Sequence, residues 1–190
     1  MSDLSEVFEP GRRRGIVFIL DLGAALISTD AINPTWNVDE YKISNSGSGC
    51  VIGLGYAPLD QIVVLGTLRS AYYGENAGWA WGLGPLGGLV ADYHVMALVG
   101  AKFYFVREAP SWFMEFGYGV GAMSNPLDDD MLDGGDRSGS GSFAGIGYEF
   151  AHHLQFEVGV MRTRDDKDAA RINRLWKSTT VMATVGVMAY

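Results

Sequence analysis

The stretch Phe113-Met114-Glu115-Phe116-Gly117-Tyr118-Gly119-Val120-Gly121-Ala122 alternates with a period of two. Met114, Phe116, Tyr118, Val120 and Ala122 fall on one face, and Glu115 with three glycines falls on the other. Side chains two residues apart share a face only in an extended chain, so the spacing reads as a strand. One face is bulky and apolar; the other is small and partly charged. That contrast predicts a closed sheet with lipid outside and a narrow, polar inside.

The same rhythm recurs along the chain. It places strands near residues 14–28, 49–58, 61–73, 93–107, 111–124, 142–151, 153–164 and 178–190. Their connections alternate in length. Ala57-Pro58-Leu59-Asp60, Glu108-Ala109-Pro110 and Ala151-His152 read as tight turns, because proline presets φ and aspartate bonds its own backbone. The links after the first, third, fifth and seventh strands are long and mostly polar. Short turns on one rim and long loops on the other predict an all-β, eight-stranded antiparallel up-and-down transmembrane β-barrel. The barrel is expected as a single domain over 14–190, preceded by a periplasmic tail over 1–13.

Composition narrows the field. No apolar run in the 190 residues reaches the roughly 18 needed for a membrane-spanning helix. The 26 glycines argue against helices, where each interior glycine costs about 1 kcal/mol relative to alanine. A net charge of −8 speaks against nucleic acid as a partner. The single cysteine, Cys50, allows neither an intrachain disulfide nor a multi-cysteine metal site. Arg12-Arg13-Arg14 ahead of Gly15–Leu20 has the outline of a secretory signal, but Asp21 interrupts the apolar run. A first strand is the better reading, and an export signal is then expected to be missing from this sequence.

Asp21, Arg69, Lys102, Glu115, Glu149 and Glu157 each alternate with large apolar residues. Val95, Ala97, Val99, Ala101, Phe103 and Phe105 oppose Lys102, and Leu154, Phe156, Val158 and Val160 oppose Glu157. The six charges are expected inside, as a hydrogen-bonded network; the competing reading leaves some of them solvated at a rim. Gly53, Gly55, Gly117, Gly119, Gly121, Gly145, Gly147 and Gly159 share the inner face and make room in a narrow barrel. Tyr56, Tyr104, Phe105, Trp112, Tyr148 and Phe150 are expected as an aromatic girdle toward the short-turn rim.

Segments such as Gly100-Ala101-Lys102-Phe103-Tyr104-Phe105 and Gly145-Ile146-Gly147-Tyr148-Glu149-Phe150 look like strands of the small bacterial outer-membrane β-barrels, the OmpA/OmpX-like group. The resemblance covers about residues 14–190 and is one of pattern. It implies a bacterial outer-membrane location, outer-membrane lipid as surroundings, and assembly machinery that reads an aromatic residue ending the last strand. Tyr190 occupies that position, where phenylalanine is commoner. The last strand sets its β-branched residues and Tyr190 on opposite faces, which leaves its register open.

Three regions carry candidate chemistry. Asp128, Asp130, Asp133 and Asp136 sit in a glycine-containing acidic loop that reads as solvated, or as a cation site of carboxylate oxygens. Leu132 breaks the EF-hand spacing. Trp79, Trp81, Leu83 and Leu86 make another loop apolar, suiting an interaction surface or simple strand extension. His94, with Asp92 on its face and Ser70 on the neighbouring strand, is the one arrangement from which a lipid A-modifying enzyme could be built. No serine signature accompanies it, so no catalytic residue, metal or cofactor is assigned.

The sequence thus predicts a monomeric barrel with a non-enzymatic structural or surface-interaction role. Its lumen is closed by charge, and its long loops are free for an extracellular partner. A narrow pore or path for small hydrophobic molecules is the alternative. A lipid A-modifying enzyme and a soluble lipocalin-like binder stand behind it.

Overall fold

The computed structural model describes residues 13–33, 38–73, 92–124, 137–165 and 175–190. Eight strands follow in order: β1 (Gly15–Asn33), β2 (Val38–Leu59), β3 (Ile62–Tyr73), β4 (Asp92–Tyr104), β5 (Ser111–Met123), β6 (Arg137–Ala151), β7 (Leu154–Asp165) and β8 (Leu175–Ala189). Each pairs antiparallel with its sequence neighbour, and β1 with β8 closes the barrel.

The ladder fixes the geometry. Ala189 on β8 faces Phe18, and successive partners then run through Leu54, Gly66, Val99, Tyr118, Ser142 and Arg162. Arg162 faces Thr179, so one circuit returns to β8 ten residues from its start. That stagger tilts the strands by about 40° from the barrel axis. A strand of 12 residues, as in β3, rises about 3.3 Å per residue and so crosses a hydrocarbon layer at that tilt.

Bulk lies outside. Ile16, Val99, Tyr118 and Val120 are all at least 65% exposed, while Asp21, Arg69, Lys102 and Glu115 are at most 2% exposed. A lipocalin-like barrel keeps hydrocarbon inside and polar groups in water, so this arrangement overturns that expectation. Strand 8 follows the same rule. Val181, Val185 and Val187 face out, and Met182, Thr184 and Met188 face in.

The interior is layered. Val17, Ile19, Val63, Leu65, Phe113 and Met188 belong to one apolar cluster. Val51, Met96, Leu98, Phe143, Met161 and Met182 belong to another. Tyr104 is buried in the first of these, its hydroxyl donating to the Met188 sulfur, so it does not join the girdle. Its parity with Lys102 puts it inside. Tyr56, Phe105, Trp112 and Phe150 do face outward, and the Trp112 and Tyr148 rings lie 5.0 Å apart.

Three strands reach at least five residues further than the sequence suggests, and the first of them, β1, runs to Asn33 against an expected end of 28. β2 starts at Val38 and β6 at Arg137, against expected starts of 49 and 142. In both extensions serine and glycine stand where lipid-facing strands carry hydrocarbon. Ser44 nevertheless pairs with Ser28, and Ser138 with Ala122. Backbone bonds to a well-marked neighbour hold these segments, and side chains contribute little. The turns fall close to where the sequence predicts them but not on the same residues: Ala57-Pro58-Leu59 stays in β2 and the chain turns at Asp60-Gln61, residues 105–110 join β4 to β5, and His152-His153 turns β6 into β7. His153 adopts φ 71 in the β6–β7 turn, a left-handed conformation that histidine accepts more readily than bulkier residues.

Candidate functional site

The charged side chains converge because four strands deliver them to one level of the lumen. Lys102 on β4 and Glu115 on β5 are direct cross-strand partners. Arg69 comes from β3 and Glu157 from β7. The Arg69 guanidinium reaches Glu115 at 2.5 Å and Glu157 at 2.8 Å. The Lys102 ammonium reaches the other oxygens of the same two carboxylates at 3.2 and 3.1 Å. Each carboxylate therefore bridges both cations, and each cation bridges both carboxylates. Lys102 also donates to the Gln155 side-chain carbonyl at 3.0 Å, and the Gln155 amide donates to Asp21 at 3.0 and 3.1 Å.

Aromatic rings close this layer from both sides. Arg69 stacks on Phe143, 3.5 Å from the ring centre, and Lys102 lies 4.2 Å from the centre of Phe113. Glycine makes both possible: a Cβ at Gly147 would overlap the Phe113 ring, and one at Gly159 the Phe143 ring. A Cβ at Gly186 would overlap the Asp21 carboxylate. The interior glycines thus hold volume open for specific neighbours.

Glu149 stands apart from the other five. It belongs to a second cluster at the short-turn rim, accepting from Arg13 Nε at 2.6 Å and from the Tyr190 hydroxyl at 2.9 Å. Arg13 also donates to the carbonyls of Asp60, Val106 and Arg107 and stacks on Tyr104. Its side chain is fully buried, so Arg13 is built into the barrel although the sequence reading assigned it to the tail. Tyr190 turns inward here, its ring against His152 and His153.

His94 is buried on the inner face, its two ring nitrogens each 2.7 Å from a threonine hydroxyl, Thr180 and Thr163. Ser70 pairs with Val95, one position along, and so projects from the opposite face of the sheet. Its hydroxyl donates to the Cys50 carbonyl at 3.5 Å. Histidine and serine are therefore separated by the wall, and the arrangement the sequence suggested does not form. The Asp92 side chain lies outside the described residues, as do Trp79, Trp81, Leu83, Leu86 and Asp128, Asp130, Asp133 and Asp136.

Four participants escaped the sequence reading. Gln155 shares the face of Glu157 and breaks an otherwise apolar alternation, a readable signal. Thr163 and Thr180 lie on inner-facing positions without charge to mark them. Arg13 has the parity of Val17 but precedes the first strand.

A closed eight-stranded sheet, sheathed in hydrocarbon and tied internally by ion pairs, defines the fold of a small outer-membrane β-barrel. No protein-family model and no curated protein matches the chain. Among solved structures the fold matches Ail, the attachment invasion locus protein of Yersinia pestis. In complex with the heparin analogue sucrose octasulfate, Ail is 12% identical with a TM-score of 0.56, over 92% of this chain and 99% of that one. A second Ail structure is 13% identical with a TM-score of 0.53, over 93% and 99%. The likeness is one of fold, and it agrees with the group the strand pattern resembles.

Proposed function

We propose that the chain is a monomeric, non-enzymatic barrel of a bacterial outer membrane. In this reading it anchors its long loops at the cell surface, and its lumen is shut to solutes by the Arg69–Lys102–Glu115–Glu157 cluster. The observation that carries the reading is reciprocal pairing: each of these four groups pairs with both groups of opposite charge, across the lumen, between two aromatic lids. A passage for solutes needs polar groups turned toward a continuous opening. The assembly machinery would read Tyr190, and an extracellular partner would meet the loops.

Among the described residues, His94 and Ser70 project from opposite faces of the wall, so the nucleophile–base pair the sequence suggested is not formed. Lipid A extracted from cells producing the wild-type chain, the His94→Ala variant or neither is expected to carry the same acyl chains by mass spectrometry. An acyl pattern that requires both the barrel and His94 would overturn the reading.

A further inference from the structure

The outer wall loses its hydrocarbon between consecutive outward positions of three adjacent strands. Moving toward the long loops, Ala144 gives way to Ser142 on β6, Val160 to Arg162 on β7, and Val181 to Thr179 on β8. These replacements are cross-strand neighbours: Arg162 faces Ser142 on one side and Thr179 on the other. One further outward position along, Arg164 faces Ser140 and Lys177. The residues line a cleft of about 380 Å³ that also takes in Tyr118. In a chain of net charge −8, three cations together on one outer face are a concentrated feature.

The three are not equivalent. Asp30 stands across from Lys177 and offsets part of its charge. Arg164 already has an interaction of its own. Arg162 is exposed and flanked by two hydroxyls. A guanidinium presents a planar fork of donors that matches phosphate oxygens, and neighbouring hydroxyls supply further donors. Directly below it, Val160, Val181 and Ala144 continue the apolar belt. A ligand fitting both halves carries phosphate above and acyl chains beneath.

We propose that the outer face of β6–β8 holds the phosphomonoester headgroup of a lipid in the leaflet on the long-loop side. Arg162 is its principal ligand, and Ser142, Thr179, Arg164 and Lys177 frame it. Charge complementarity and continuity with the lipid-facing belt select a membrane lipid over a soluble polyanion. The inference rests on the proposed membrane residence and deepens it.

The test uses the full chain refolded into phosphatidylcholine vesicles with or without phosphatidic acid. Lipid retained on the protein is measured by native mass spectrometry, and insertion is checked in the same samples by heat-modifiable gel migration. Wild type is expected to retain phosphatidic acid preferentially. Arg162→Gln should cut that preference about fivefold, the effect of losing one cation at an anionic surface. Arg162→Lys should keep most of it, and Arg14→Gln, an exposed cation at the opposite rim, should leave it unchanged. Inserted protein with no preference, or with equal losses in Arg162→Gln and Arg14→Gln, would overturn the inference alone. Displacement of the bound lipid by inositol hexakisphosphate would overturn it in favour of a soluble polyanion. Failure to insert would sink the membrane reading itself.

Discussion

Replacing Arg69 with methionine is expected to destabilise the barrel by about 3–5 kcal/mol, the cost of breaking a buried ion pair by removing one partner. Methionine fills similar length without charge. Glu115 and Glu157 would then share only Lys102, and each would leave the oxygen that met Arg69 without a cation. Neither carboxylate can turn to water, since both side chains are almost wholly enclosed. The midpoint of urea unfolding, followed by loss of the heat-modifiable form, should fall by about 1–3 M. Replacing all four charged groups together with apolar residues should cost far less, because no charge is then stranded. A single variant as stable as wild type would show that water reaches the cluster and that the lumen is not dry.

Phe143→Ala carries the second large effect, about 3–5 kcal/mol for truncating a buried aromatic side chain. The ring occupies space left by Gly145 and Gly159 and forms the surface on which the Arg69 guanidinium lies. Truncation therefore opens a cavity and removes a cation–π contact worth about 0.5–2 kcal/mol. Because the wall beneath the ring carries glycine on β6 and on neighbouring β7, it has no side chain with which to collapse into the gap. Adding Gly159→Val to Phe143→Ala should recover part of the loss, although the same change alone should be destabilising. Unfolding curves for the three variants test this, and simple additivity of the two losses would contradict the proposed complementarity.

The strands were legible wherever lipid faces one side and packed lumen the other. At Lys102 and Glu115 each neighbour differs from its predecessor in both size and polarity, so the period of two stands out. Slipping the register by one residue would put these charges into hydrocarbon, which is why the reading of faces is so well determined there. In the long-loop parts of β2 and β6 both faces become polar or small. Ser44-Asn45-Ser46-Gly47-Ser48-Gly49 and Ser138-Gly139-Ser140-Gly141 have the composition of turns, and only the backbone ladder makes them strands. Residue type alone puts Tyr104 in the girdle, aromatic near a rim, whereas its parity with Lys102 puts it inside.

The site was legible in part for a related reason. Parity identifies which side chains enter the lumen, but partnership also depends on the stagger between strands. Glu149 shares the inner face with Glu115, yet they sit at different heights. Arg13, outside any alternating segment, becomes the partner of Glu149. Arg13 and Glu149 are 136 positions apart, and nothing local marks the pairing. Gln155 has the same parity as Glu157, but it carries no charge to mark it as a member of the network.

Conductance across a planar lipid bilayer tests the central claim most directly. If the Arg69–Lys102–Glu115–Glu157 cluster seals the lumen, purified monomer inserted at high density should add no steady current above that of the bare bilayer. Sustained ohmic steps that scale with the number of inserted monomers would contradict a sealed interior.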